Sequence, residues 1–169
     1  QENQMSAWIK MISDDEATPH LKKVLKTAQT PHGTVDNVMR VHSLRPSTME
    51  GHLTLYRAVL HDENNSIPAW FQETISSYVS ILNDCQYSLA NHWANASHLI
   101  GDQSRSSEIK NALEKRTIEK AFSGAELALL KYAEKLTTTP NLMDKSDVDS
   151  LKQAGISDGE ILEANQIIC

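Results

Sequence analysis

A carboxylate, a thiol, a hydroxyl and an imidazole stand at fixed offsets in the middle of the chain: Glu73, Cys85, Ser88 and His92. A thiolate attacks electrophiles and peroxides, an imidazole exchanges protons near neutral pH, and a carboxylate behind an imidazole orients the ring. On a helix, Cys85, Ser88 and His92 fall at i, i+3 and i+7 and share one stripe. Ser88 and His92 are neighbours on that stripe, so position 88 is the one the imidazole is placed to activate. Cys85 is seven residues from His92, about 10 Å along the axis. Glu73 would lie about 18 Å from Cys85 on an uninterrupted helix. The constellation therefore closes only if the backbone doubles back at Asn83-Asp84, a pair that reads as a break followed by an N-cap. With Asp84 as that cap, Cys85 enters the first turn of the new helix, where free amides and the positive dipole end favour a thiolate.

The elements that must position these groups read as helices. Thr18-Pro19 opens one through about Thr27, and Pro31-His32-Gly33 closes it by removing a donor and permitting a left-handed turn. A short helix follows near Val35 to Leu44, and Arg45-Pro46 breaks it. Ser47 to Leu60 carries Met49, Leu53, Tyr56 and Leu60 at helical spacing. After the loop from His61 to Ser66, Ser66 is expected to cap a helix with Pro68 in its first turn. Phe71, Ile75, Tyr78, Val79 and Leu82 form the apolar face of that helix. The helix starting at Cys85 runs through Leu99 and ends at Gly101. Further helices fit Glu108 to Lys120, Ala125 to Leu136, Lys145 to Ala154 and Asp158 onward. Ser123 with Glu126 and Ser157 with Glu160 have the spacing of capping boxes.

At 169 residues the chain fits one domain over 1–169, with residues 1–17 as a loosely packed N-terminus. Hydrophobic residues make up 40%, and Val-Ile-Thr alternation is scarce, which points to an all-α fold. The net charge of −6 leaves no basic face for nucleic acid or an anionic membrane, so the expected partners are small molecules or proteins. No apolar run reaches the roughly 18 residues of a membrane span. Cys85 and Cys169 are too far apart for a CxxC redox or zinc pair and fit a reducing, cytoplasmic setting. His98 is six residues past His92, so no i, i+4 metal pair arises. The expectation is no metal and no cofactor. The chain stops at Cys169 inside an apolar helical pattern, which predicts a natural C-terminus further on.

The spacing Glu73-x11-Cys85-x2-Ser88-x3-His92 resembles that of the alkylhydroperoxidase D and carboxymuconolactone decarboxylase superfamily. Asn37 to Pro46, Leu55 to Val59, Ala133 to Thr137 and Ala154 to Asp158 resemble its uncharacterised peroxidase-related branch. The resemblance implies an all-helical bundle of about seven or eight helices that assembles as a homo-oligomer, a trimer or hexamer. In two-thiol members the second cysteine attacks a peroxide with help from the His and Glu, and the first resolves it as a disulfide. Carried over, Glu73 matches the relay carboxylate, Cys85 the resolving thiol, His92 the base, and Ser88 stands where the attacking cysteine would be. A serine hydroxyl forms neither a sulfenic acid nor a disulfide, so the two-thiol cycle is closed to this chain.

Three functions compete. The first is reduction of hydroperoxides through Cys85 with an external thiol as reductant, impaired or altered by Ser88. The second is non-redox proton transfer by Glu73 and His92 on a small carbonyl or lactone substrate. The third is a catalytically silent helical oligomer, in which Cys85 packs as a small hydrophobe and Glu73 is a solvated carboxylate. A Ser88-His92-Glu73 hydrolytic triad ranks last, because adjacent helical turns offer no oxyanion hole. Tyr87 and Trp93 read as core or interface, and His42 and His52 as structural.

Overall fold

A computed structural model describes residues 7–30 and 32–169 of the chain. Pro31, read above as part of a helix stop, lies outside the described residues, as does the first part of the N-terminal segment. Among the described residues there are nine α-helices, three short 3-10 turns and no strand. The excess over the expected seven or eight comes from short pieces: α2 is a single turn, and α1 and α8 have nine residues each. At such lengths packing, more than propensity, decides whether a helix exists. No described helix is long and apolar enough to cross a membrane. The chain divides between His61 and Asp62 into two compact units.

The first unit holds α1 (Pro19–Thr27), α2 (Asn37–Arg40), a 3-10 turn (Val41–Leu44) and α3 (Pro46–Leu60). Thr18 Oγ1 accepts from Leu21 N–H at 3.2 Å, the cap expected at that boundary. Leu21, Val24, Leu25, Met39 and Met49 make the core. The segment before α1, expected to be loose, is fastened from Ile12 onward. Ile12 N–H donates to Ser43 Oγ at 2.8 Å, and the Arg40 guanidinium grips Asp14 at 2.9 and 3.3 Å. His42 Nε2 and His52 Nδ1 lie 3.1 Å apart, which accounts for both imidazoles locally.

The second unit holds α4 (Ala69–Leu82), α5 (Gln86–Ile100), α6 (Gln103–Glu114), α7 (Gly124–Thr138), α8 (Lys145–Gln153) and α9 (Asp158–Ile168), with 3-10 turns at Ile118–Lys120 and Pro140–Leu142. Helix α4 is the central element, packed by α5, α6, α7 and α9. It buries Phe71, Ile75 and Tyr78 together with Gln72, Glu73, Thr74, Ser76, Ser77 and Ser80. Its hydroxyls are satisfied within the helix. Thr74, Ser76, Ser77 and Ser80 each donate to the carbonyl four residues back, at 2.7 to 3.1 Å.

Ser66 does not cap α4. Pro68 occupies the N-cap position, and the Glu163 carboxylate of α9 takes the Ser66 and Ile67 N–H groups, each at 2.9 Å. A charged acceptor from a distant helix thus replaces a local hydroxyl, a choice that sequence spacing alone does not reveal. The helix expected over Glu108 to Lys120 is shifted. Asp102 Oδ1 caps α6 by accepting from Arg105 N–H at 2.7 Å, and Arg116, at φ +52°, ends it. The Ser157–Glu160 box forms as expected, whereas Ser123 makes no side-chain cap and Asp144 with Asp147 forms an unforeseen box.

Candidate functional site

The return between α4 and α5 decides the site. Helix α4 ends with Cys85 N–H donating to Ser80 O at 2.9 Å and Asp84 N–H to Ile81 O at 3.1 Å, the paired bonds of a Schellman stop. Asp84 takes the left-handed position at φ +52°, a conformation that Asp tolerates better than most residues. Asp84 is therefore the end of α4 and not the cap of α5. Cys85 itself is the N-cap of α5, one position outside the first turn expected for it, and no side-chain bond caps the helix there. Its thiol is exposed.

From this turn α5 runs back along α4, and the carboxylate reaches the imidazole. Glu73 Oε2 accepts from His92 Nδ1 at 2.7 Å. Glu73's other oxygen, Oε1, accepts from Asn95 Nδ2 at 3.2 Å. The Glu73 side chain is 7% exposed and that of His92 is 23% exposed. The acid is thus held out of water while the ring still reaches it. A carboxylate can only accept, so Nδ1 carries a proton in either charge state of the imidazole. Nε2 is left without a hydrogen-bond partner among the described residues.

Ser88 does not join this pair. Its Oγ lies 2.9 Å from Ser80 Oγ of α4, and no hydrogen bond links it to His92. Sharing a helical stripe brought Ser88 near His92 in sequence, but the facing hydroxyl on α4 claims it. Ser80 is itself bonded to Ser76 O at 2.7 Å, so its single proton is divided between two acceptors. The structure therefore brings together Glu73 and His92, holds Ser88 aside with Ser80, and leaves Cys85 at the helix start.

Two polar partners were not foreseen. Asn95 sits one turn past His92, an i+3 offset that marks it as a candidate for any acceptor reached by His92. Ser80 stands at i+7 from Glu73 on the same stripe of α4 as Ser76 and Ser77, a polar row inside an otherwise apolar helix. Tyr87 is exposed, while Trp93 packs on the core. Among the described residues no group of three or more His, Cys, Asp or Glu is placed to hold a metal ion.

No protein-family model matches the chain, and no curated protein matches it. Solved structures do. An uncharacterised peroxidase-related protein from Silicibacter sp. TM1040 superposes with a TM-score of 0.82 at 19% identity, over 99% of this chain and 85% of that one. The fold is the alkylhydroperoxidase D-like one. A second structure of this fold, an alkylhydroperoxidase AhpD core protein from Ralstonia eutropha JMP134 that is also an uncharacterised peroxidase-related protein, gives 0.77 at 16% identity, over 95% and 82%. A cysteine-to-alanine form of the debrominase Bmp8 in complex with 2,3,4-tribromopyrrole gives 0.74 at 20% identity, over 97% and 83%. The alkylhydroperoxidase D-like architecture thus spans the described chain, and at these identities the likeness concerns the fold.

Proposed function

We propose that this chain is a peroxidase-related oxidoreductase that reduces small hydroperoxides through Cys85, with Glu73 and His92 handling protons. The observation that supports it is the 2.7 Å bond from His92 Nδ1 to a buried Glu73, which leaves Nε2 free for exchange. The Cys85 thiolate attacks the terminal oxygen of ROOH, an S–O bond forms and the O–O bond breaks. Sulfur is oxidised by two electrons to the sulfenic acid, and the departing alkoxide takes a proton and leaves as ROH. About 10 Å of helix axis separates Cys85 from His92, so His92 passes that proton to the alkoxide through intervening solvent. An external thiol then condenses with the sulfenic acid and releases water. A second external thiol breaks the mixed disulfide and restores Cys85. Ser88 takes no part in the electron transfer. The reading includes a reducing, cytoplasmic setting and a homo-oligomer, a trimer or hexamer, for which exposed Tyr87 and Leu99 on α5 offer apolar surface.

A second reading is favoured by the Ser80–Ser88 contact. With the hydroxyl of Ser88 held by α4, His92 Nε2 is open to an external acid, and Glu73–His92 can serve as a general base on a carbonyl or lactone substrate without redox chemistry. The debrominase of the same fold, in complex with a halogenated pyrrole, is in keeping with non-peroxide substrates. One set of variants separates the two. Consumption of an alkyl hydroperoxide with dithiothreitol is expected to vanish in Cys85→Ala and to rise in Ser88→Cys. Hydroperoxide turnover indifferent to Cys85→Ala ends the first reading. Turnover of a lactone that survives Cys85→Ala and is lost in His92→Ala establishes the second.

A further inference from the structure

Helix α5 contains two asparagines four residues apart, and they are used differently. Asn91 donates its amide to Tyr87 O of its own helix at 3.1 Å. Asn95 reaches across to α4 and donates to Glu73 Oε1 at 3.2 Å. Asparagine is a poor residue for a helix interior, and a break with local preference at an otherwise regular position points to a role outside the helix. Asn95 is exposed, so packing does not require it there.

Glu73 supplies the reason. Its side chain is almost fully buried, and no lysine or arginine among the described residues is paired with it. A buried carboxylate stays ionised only if its oxygens find donors, and each oxygen left bare carries a desolvation cost. His92 Nδ1 serves Oε2. Asn95 serves Oε1, and its amide must present nitrogen, because the carboxylate offers no proton.

We infer that Asn95 is a positioning residue. By occupying Glu73 Oε1 it fixes the carboxylate rotamer and charge, so that His92 keeps its proton on Nδ1 and presents Nε2 for exchange. The inference rests on the reading of Glu73–His92 as a proton relay and adds the group that holds that relay in one state. A neutral donor suits this place: an acid at position 95 would repel Glu73, and a lysine would compete with His92 as the cation beside it.

The test uses nitrogen-15 labelled histidine in the full chain, with the two-bond couplings of His92 reporting which ring nitrogen bears the proton. The wild type is expected to show Nδ1–H with Nε2 bare at high pH. In Asn95→Ala the Nδ1–H preference is expected to weaken into a mixed population. Asn95→Asp, whose carboxylate offers Glu73 Oε1 no proton, is expected to weaken that preference likewise. Asn91→Ala is the control and leaves the tautomer as in the wild type. Asn95→Ala is also expected to lower kcat by about ten- to a hundredfold, the range of a charge-assisted hydrogen bond, with KM unchanged. A merely structural Asn95 predicts a different pattern: an unchanged tautomer with a lower melting temperature, since Glu73 Oε1 loses its donor. The wild-type tautomer retained in both Asn95→Ala and Asn95→Asp overturns the inference. A shifted tautomer in a protein that turns over no hydroperoxide leaves the inference standing and removes the redox reading instead.

Discussion

Helix α4 carries two part-buried hydrogen bonds that look alike and differ in what they can do. Glu73 faces α5 and is bonded to His92 at 2.7 Å, while Tyr78 faces α7 and donates to Glu134 Oε2 at 3.0 Å. Tyr78 is wholly buried. Burial, and then the acceptor Glu134, push its phenol far above the usual 10.0, with Arg116 opposing weakly. That proton stays in place across the physiological range, so the Tyr78–Glu134 pair fastens α4 to α7. His92 keeps part of its ring in contact with water and one nitrogen without a partner among the described residues. A single helix therefore offers one fixed proton and one exchangeable one, and the difference lies in the donor's chemistry and its access to solvent.

The largest expected effect comes from breaking the exchangeable pair. Glu73→Gln keeps the shape of the side chain but removes the charge that holds the imidazole, and turnover is expected to fall by roughly 10²- to 10⁴-fold, the usual contribution of a placed acid–base group. Steady-state kinetics on the substrate of whichever reading holds would measure it, and turnover within twofold of wild type would erase the distinction between the two pairs. Next comes the fixed pair. Tyr78→Phe leaves the Glu134 carboxylate without its phenolic donor and is expected to cost about 1–3 kcal/mol of stability, with kcat unaffected. Urea unfolding with an unchanged m-value measures this cost. A stable Tyr78→Phe protein with reduced turnover would reverse the assignment.

The comparison also shows what a sequence can and cannot carry. The offset of Glu73 to His92 and the break at Asn83-Asp84 were readable because helical pitch forbids their meeting otherwise. The nature of that break was not. Asp84 looked like a cap because Asp favours caps, but the same residue also tolerates the left-handed position, and only the bonds to Ser80 O and Ile81 O decide between them. Cys85 consequently sits at the N-cap of α5, one position before its first turn. Ser88 was assigned to His92 from one helix alone, whereas its partner Ser80 comes from the facing helix and hides in a segment that reads as core. The cap of α6 was missed for a different reason: Asp102 directly follows Gly101, and the glycine was read as a stop without the start behind it. Contacts within a turn are legible from spacing, while contacts chosen between helices are not.

The smallest effect sharpens the contrast through pH. Tyr78 holds its proton more tightly when folded than when unfolded, so above the ordinary tyrosine value of 10.0 the unfolded chain binds fewer protons than the native one. Stability then falls as pH rises, by up to about 1.4 kcal/mol per pH unit for one such group. Tyr132, whose phenol burial also raises, adds a contribution of the same sign. Lysines titrate in the same range, so the useful quantity is the difference between wild type and Tyr78→Phe. Denaturant unfolding between about pH 9 and pH 11 is expected to show the steeper alkaline decline in the wild type. Glu73→Gln, which leaves Tyr78 and its acceptor in place, is expected to decline in parallel with the wild type. Equal slopes in wild type and Tyr78→Phe would mean that Tyr78 releases its proton as readily as an exposed tyrosine, and the fixed pair would then be no more fixed than the other.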